Sequence, residues 1–373
     1  MVQIASMVVA FGILLSVFFC SLLIAKPCRG GANRYLAGLV LSSGLAVFYQ
    51  VLFPTGLYRI LPHLAKIYIP TQFLIGPLLF LYVSALTEPG FRFTKRTILH
   101  FLPFALSLIY LAPFFAETAE AKIAFARTMV SPIEPSSAEE WTIWLYVQAS
   151  LWVYSILSLR KYGQYRRRIK DAVSNLSRYA WNWLLGFLIC IQLMLVSFLV
   201  VDILMLEGIP LVAFNPFISV LMTASIVFLG WRGMLRLEHI SPPPEKETGA
   251  SSSPKISEEE CEAHFALIVE ATRRDGLFRS SELTLSELAE TLGYSRNEFS
   301  RIINGGGKMN FNDFVNMLRV EDVRHRLEAA AGDKPNILQM ASEAGFNSKS
   351  VFNSAFKKWT GTTPSLYRMR ART

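Results

Sequence analysis

Residues 337–368, with the sequence ILQMASEAGFNSKSVFNSAFKKWTGTTPSLYR, determine the fold of the C-terminal part of this 373-residue chain. Two short helical patterns flank the tripeptide 345–347, and each places its apolar residues on one face. The small residues Ala341 and Ala344 allow two helices to approach closely. Gly345 can adopt the left-handed conformation that ends a helix. The stretch therefore predicts two helices joined by a tight turn.

The second of these helices carries a polar face opposite its apolar one. From Lys349 to the C-terminus there are six Lys and Arg residues and no acidic residue. Polar and basic side chains of this kind contact the phosphates and base edges of double-stranded DNA. The pattern predicts a DNA-binding helix-turn-helix. Its candidate contact residues are Lys349, Ser350, Asn353, Ser354, Lys357 and Lys358.

A similar pattern precedes this unit. Residues 284–287 and 295–298 each have the sequence of a capping box, which predicts helix starts at 285 and 296. The helix from 296 to about 304 turns Phe299 and two isoleucines inward. A longer apolar pattern over 311–330 predicts a rigid connector between the two units. The polar face of the first recognition helix consists of Arg296, Asn297, Ser300 and Arg301.

Within the quoted stretch, several residues resemble the signature of the AraC/XylS family of bacterial transcription regulators. They are Ala344-Gly345-Phe346, Ser350, Phe352, Phe356-Lys357, Gly361, Thr363-Pro364 and Tyr367-Arg368. The resemblance implies two helix-turn-helix units on one connector helix. The linker and the symmetry of regulator sites favour a homodimer, and RNA polymerase is a further candidate partner. It implies base contacts by Asn297, Ser300, Arg301, Ser350, Asn353 and Ser354, with contacts to phosphate alone as the alternative for several of them. We expect Lys357 and Lys358 to contact phosphate.

The sequence departs from that family at one turn. The family usually has a glycine shortly before the position of Phe311, where this chain has Lys308 preceded by three glycines, 305–307. We therefore expect a looser turn after the first recognition helix. The glycines lack the spacing of a phosphate-binding loop.

The rest of the composition indicates a membrane part. The chain is 52% hydrophobic and 17% charged, with a mean hydropathy of +0.35. Apolar runs long enough to cross a hydrocarbon core of about 30 Å predict an N-terminal bundle of seven transmembrane helices, so the fold class is all-α. No basic segment precedes the first run, so we expect an uncleaved span. The predicted spans are 4–25, 35–53, 67–86, 98–115, 141–159, 181–203 and 211–229.

The charges of the loops predict the orientation of this bundle. Alternate loops carry thirteen Lys and Arg residues on one side and four on the other, and the positive side faces the cytoplasm. We therefore expect a multi-pass protein of the bacterial inner membrane, with the N-terminus outside and the C-terminal domain in the cytoplasm. The basic loop 162–170 is best explained as a segment facing anionic lipid.

Two further stretches, 73–86 (FLIGPLLFLYVSAL) and 100–104 (HFLPF), resemble the membrane part of AraC-type regulators with multi-span N-terminal domains. Asp202 is a candidate sensing residue, because a carboxylate is costly inside a bilayer. A structural role at the membrane interface is the alternative. We expect the outer loop 116–140 to be solvated, with a role as a lid as the alternative, and His63 and His100 to be structural or solvated. The signal, a small molecule or a membrane state, is not identified.

The predicted domains are the membrane domain 1–236, a Pro- and Ser-rich linker 237–256 and the DNA-binding domain 257–373. Residues 255–290 carry a net charge of −5, whereas 291–373 carry +6. The four cysteines form no CxxC pair and no cluster with metal-ligand spacing. No catalytic constellation is present in the sequence, so we expect no enzyme activity, cofactor or metal.

Together these patterns favour a membrane-bound, sequence-specific DNA-binding transcription regulator. The alternative is a membrane receptor or transporter-like protein whose C-terminal domain mainly binds a protein partner. The absence of an obvious inverted repeat and the scarcity of intramembrane charge oppose that alternative.

Overall fold

A computed structural model describes residues 2–25, 31–53, 55–88, 90–130, 138–176, 182–206, 215–235, 257–330 and 336–370. These residues are mostly helical, and they contain no β-strand beyond one isolated antiparallel bridge between Val173 and Thr284. The chain divides into two compact units. One consists of Met1–Gly163 and Asn182–His239, and the other of Gln164–Trp181 and Ile240–Thr373.

The described residues of the N-terminal unit form ten α-helices. The eighth, α8, continues beyond Gly163 into the segment that belongs to the C-terminal unit. The helices are α1 (Val2–Ala25), α2 (Ala32–Ala46), α3 (Tyr49–Leu52), α4 (Tyr68–Thr87), α5 (Lys95–Ile98), α6 (Leu102–Ala116), α7 (Ala119–Val130), α8 (Ala138–Lys170), α9 (Asn182–Leu206) and α10 (Asn215–Met234).

Packing in this unit is centred on α2, which contacts α1, α4 and α10, while α1 also contacts α10 and α4 contacts α6. Glycines permit the close approach. A Cβ at Gly44 would overlap the side chain of Ser16, and one at Gly76 would lie 2.9 Å from the ring of Tyr154. Outward-facing residues of α1 and α6 are large and apolar, as in helices that face lipid.

Helices lie at all seven predicted spans, but within the part of the chain that the structure describes, four are long and apolar enough to cross a membrane. These are Met7–Ala25, Tyr68–Thr87, Lys95–Ala116 and Trp141–Lys170. Among the described residues, Trp183–Ser197 and Val220–Gly233 are shorter apolar helices. The second predicted span is interrupted, because α2 ends at Ala46 and a turn separates it from α3.

The predicted solvated loop 116–140 is partly wrong, because residues 119–130 form α7. Ala126 is buried in a cluster with Leu52, Phe53 and Tyr58. Lys122 is also buried. Its ammonium group lies 2.9 Å from Nδ1 of His63 and donates a hydrogen bond of 2.8 Å to the carbonyl oxygen of Phe115. The apolar face of α7 therefore covers this end of the unit.

The C-terminal unit is built on two hydrophobic clusters. One surrounds Phe299 and Phe314, and the other surrounds Phe352 and Phe356. Its helices are α11 (Glu258–Arg274), α12 (Leu285–Thr291), α13 (Arg296–Gly306), α14 (Phe311–Ala329), α15 (Ile337–Glu343), α16 (Lys349–Thr360) and α17 (Pro364–Arg370). The predicted linker 237–256 lies outside the described residues.

Candidate nucleic-acid interface

The first helix-turn-helix consists of α12 and α13. Thr284 starts α12 with a complete capping box: its hydroxyl accepts a hydrogen bond from the Glu287 amide, and the Glu287 carboxylate accepts one from the Thr284 amide. Ser295 caps α13 by accepting a hydrogen bond from the Glu298 amide at 3.3 Å. The predicted inward residues of α13 are fully buried. The opposite face of α13 therefore points outward.

The second helix-turn-helix consists of α15 and α16. Gly345 between them has φ 95, as the sequence predicts for the turn. Ser348 caps α16 by accepting a hydrogen bond from the Val351 amide at 3.2 Å. Phe352, Ala355 and Phe356 are buried. Gly361, with φ 74, ends α16 in a left-handed conformation.

The structure places the ten predicted contact residues on two helices. Arg296, Asn297, Ser300 and Arg301 share one face of α13, and the other six share one face of α16. Arg296 and Ser300 are half-buried, and the remaining eight are exposed. Within the described residues, α16 carries no acidic side chain and three lysines, so its outer face has the charge that attracts phosphate.

Several of the ten residues have partners within the protein, among them Ser300, Ser350 and Lys358. Asn304 donates a hydrogen bond of 3.3 Å to the hydroxyl of Ser300. Lys358 forms an ion pair of 2.7 Å with Asp313, which lies in the first turn of α14. The sequence analysis did not predict these contacts. Lys358 and Asp313 are distant in the sequence and meet only in the fold, whereas Ser300 and Asn304 lie one helical turn apart.

The glycines 305–307 tighten the packing after α13, which corrects the expectation of a looser turn. A Cβ at Gly306 would overlap the backbone carbonyl oxygen of Cys261, and one at Gly307 would lie 2.5 Å from the ring of Phe265. The glycines therefore let α11 pack directly against the end of α13. Lys308 has φ 50, and it is the one described non-glycine residue with a positive φ. It adopts the conformation for which the usual glycine is suited.

Arg319 of α14 connects the two helix-turn-helix units. Its side chain is 2% exposed. Nε donates a hydrogen bond of 2.8 Å to the carbonyl oxygen of Phe278, and Nη2 donates one of 2.7 Å to that of Ser280. The guanidinium also lies 5.7 Å from the ring centroid of Phe346 in the second turn. Burial lowers the pKa of Arg319 to about 10, so the group remains charged at neutral pH.

The sequence analysis did not predict that α14 carries buried polar residues. Asn312, Asn316 and Arg319 lie along one stripe of α14, and all three are buried. Their spacing of four and three residues places them on one helical face. That spacing could have been recognised in the sequence. The exposed Asn347, beside the cap of α16, was also missed. It donates a hydrogen bond of 3.1 Å to Glu282.

The side chain of Asp202, the predicted sensing residue, lies outside the described residues, although its backbone belongs to α9. No group of three His, Cys, Asp or Glu side chains that could hold a metal ion occurs among the residues that the structure describes.

Comparison with known proteins identifies the C-terminal domain. A family model described as a helix-turn-helix domain matches residues 288–370. Over 87 residues, 23% of this chain, the sequence is 33% identical to an uncharacterized HTH-type transcriptional regulator of Staphylococcus aureus strain COL. The identity and coverage are the same for proteins of that description in strains MSSA476 and N315.

The matched stretch spans 11% of the length of these relatives. No solved structure matches the chain. The family match includes most of α12 and all of α13 to α17. In that region the chain carries an AraC-type helix-turn-helix domain.

Proposed function

We propose that the chain is a membrane-bound transcription regulator of the AraC type, which binds promoter DNA through α13 and α16. The observation that carries the proposal is the pair of capped helices, each with a polar outer face, in a domain that matches helix-turn-helix regulators. Side chains on such faces provide base contacts, and lysines provide phosphate contacts. The two helices would enter successive major-groove faces, which lie about 34 Å apart.

The N-terminal unit supports a membrane location. Its four long apolar helices have the length and composition of membrane spans. The proposed arrangement is a seven-span domain over 1–236, a linker over 237–256 and a DNA-binding domain over 257–373 in the cytoplasm of a bacterium. The lipid bilayer is then a permanent partner, and a second copy of the chain and RNA polymerase are partners on the promoter.

The experiment that tests this function is a genome-wide map of DNA occupancy by the full-length tagged protein. The matched variants are the double variant Arg301→Ala, Ser354→Ala, which removes one candidate base contact from each helix, and Arg274→Ala, which removes an exposed arginine of α11. We expect sharp peaks that disappear in the double variant and persist in Arg274→Ala. Identical maps for the wild type and the double variant would contradict DNA recognition by these faces.

A second arm separates membrane attachment from DNA binding. Cell fractionation in alkaline carbonate should leave the full-length protein in the membrane, whereas a fragment of residues 257–373 should be released. Peaks for the fragment alone would show that the membrane part restrains DNA binding. Release of the full-length protein would contradict the membrane location, whatever the occupancy map shows.

A further inference from the structure

The segment between α8 and α9 is part of the C-terminal unit. Residues Gln164–Trp181, which comprise the end of α8 and the residues before α9, group with Ile240–Thr373, although in the sequence they belong to the predicted membrane domain. Within this segment Val173 and Ser174 are each 2% exposed. Two adjacent loop residues become this deeply buried only when they pack against a folded surface.

Backbone hydrogen bonds join this segment to the start of the first helix-turn-helix. The Ser174 amide donates to the carbonyl oxygen of Leu283 at 3.0 Å, and the Leu285 amide donates to that of Ala172 at 2.9 Å. Leu285 is the first residue of α12, and the amide of a first helical residue has no partner within its own helix. Ala172 therefore completes the N-terminus of α12.

The segment also contacts the buried polar stripe of α14. Asn312 donates a side-chain hydrogen bond of 2.6 Å to the carbonyl oxygen of Ser174, and Arg319 donates one of 3.3 Å to its hydroxyl. Buried amides and guanidinium groups need such partners, because an unpaired polar group in the interior destabilises the fold. The stripe is therefore matched to an extended segment of chain at this position.

The same segment reaches the second helix-turn-helix. Asn175 and Asn347 each donate a side-chain hydrogen bond to the same oxygen of Glu282, at 3.0 and 3.1 Å. Ser174 and Asn175 line a narrow cleft together with Phe346, Ser348 and Val351, at the start of α16. The segment thus lies where the first unit, the connector and the second unit meet.

We propose that residues 172–175 are a docking strand that holds the two helix-turn-helix units in one fixed relation, so that DNA affinity depends on the conformation of the loop between α8 and α9. The contacts reach both helix-turn-helix units and leave the outer faces of α13 and α16 uncovered. Docking therefore favours DNA binding by pre-organising the two helix-turn-helix units. The loop and the C-terminal domain are both predicted to be cytoplasmic, as this contact requires.

The first test is a disulfide cross-link that does not depend on DNA. Val173 and Thr284 face each other in the antiparallel bridge without hydrogen bonds between them. Cα atoms in such pairs lie about 4.5 Å apart, a distance that a disulfide can span. The variant Val173→Cys, Thr284→Cys is oxidised in membrane vesicles and then cleaved at a protease site inserted into 237–256. We expect the two fragments to stay linked on a non-reducing gel and to separate after reduction.

The single variants Val173→Cys and Thr284→Cys are the controls, because they retain the four natural cysteines. Linked fragments in the double variant alone support docking. Separated fragments after oxidation would overturn it.

The second test replaces Val173 in the loop and leaves the sequence of the DNA-binding domain intact. Val173→Asp should expose the strand, speed hydrogen exchange of the Leu285 amide, and lower affinity for the duplex most occupied in cells at least tenfold. Gln164→Ala, at an exposed position of the same segment, should change neither quantity. Equal affinity and equal exchange in all three proteins would overturn the proposal. This arm rests on the proposed function. If the cross-link forms but none of the three proteins binds DNA, the proposed function and the dependence of affinity on docking are both contradicted. The docking itself is then still supported by the cross-link.

Discussion

The ammonium nitrogen of Lys358 lies 2.7 Å from a carboxylate oxygen of Asp313, which ties the last turn of α16 to the first turn of α14. Lys357, the adjacent residue, is exposed and forms no ion pair among the described residues. Both lysines were predicted to contact phosphate. The ion pair distinguishes them, because a lysine already neutralised by a carboxylate attracts phosphate less strongly.

We predict unequal effects of Lys357→Ala and Lys358→Ala on DNA binding. One phosphate contact contributes about one to the slope of log affinity against log salt concentration. Lys357→Ala should reduce the magnitude of that negative slope by about one, and Lys358→Ala should reduce it less. Asp313→Asn frees Lys358 and should steepen the slope. Titrations of a random-sequence duplex at several salt concentrations measure it, and a larger effect of Lys358→Ala would contradict the assignment.

Gly306 and Gly305 form a matched pair for the packing of α11 on α13. A Cβ at Gly306 overlaps the backbone of Cys261, whereas one at Gly305 lies 3.5 Å from the Cys261 sulfur, an ordinary contact. Gly306→Ala should destabilise the first helix-turn-helix by about 1–3 kcal/mol, the usual cost of overpacking. Gly305→Ala should be neutral or stabilising by up to about 1 kcal/mol, because alanine favours the helix.

Hydrogen exchange of peptides from α13 in the full-length protein measures both changes, since opening free energies follow from protection. Equal protection in the two alanine variants would mean that α11 does not approach α13 as closely as the structure shows.

Gly345 and Gly361 provide a second pair, in which both glycines have a positive φ. An alanine in the left-handed conformation costs about 1–2 kcal/mol at either position. At Gly345 the Cβ would also lie 2.6 Å from the carbonyl oxygen of Arg279, while at Gly361 there is open space. Gly345→Ala should therefore reduce protection of α15 and α16 more than Gly361→Ala does. The reverse order would contradict the close approach of this turn to Arg279.

The sequence predicted the helix-turn-helix units well because their signals are local. Capping residues such as Thr284 and Ser348, and turn glycines such as Gly345, act on neighbours a few residues away. Helical periodicity likewise placed the contact residues on the outer faces of α13 and α16. The base-contact assignments themselves remain predictions.

Features that depend on distant parts of the chain were not predicted. Nothing near Val173 or Ser174 in the sequence indicates burial, because their partners lie more than a hundred residues away. The helix α7 was assigned to a solvated loop, since its apolar face becomes useful only against the cluster around Leu52. Hydropathy alone does not determine the number of membrane spans, because a run such as 35–53 contains a turn that hydropathy does not detect.

Arg319 provides the most stringent test of how the two helix-turn-helix units are joined. Arg319→Met keeps the bulk of the side chain and removes the donors to the carbonyl oxygens of Phe278 and Ser280. A buried carbonyl left without a donor, such as that of Phe278, costs about 1–3 kcal/mol, so the C-terminal unit should lose at least that much stability. Arg273→Met is the control. It removes an exposed ion pair with Glu321 and should cost at most about 1 kcal/mol.

Protection from hydrogen exchange distinguishes a shared loss from a local one. Because Arg319 contacts the loop that precedes α12 and the turn that precedes α16, Arg319→Met should reduce protection in α12 and α13 as well as in α15 and α16 of the full-length protein. Loss confined to the first unit would show that the contact with Phe346 carries no coupling. Unchanged protection in both units would mean that other groups satisfy the two carbonyls, and that the connector does not depend on its buried arginine.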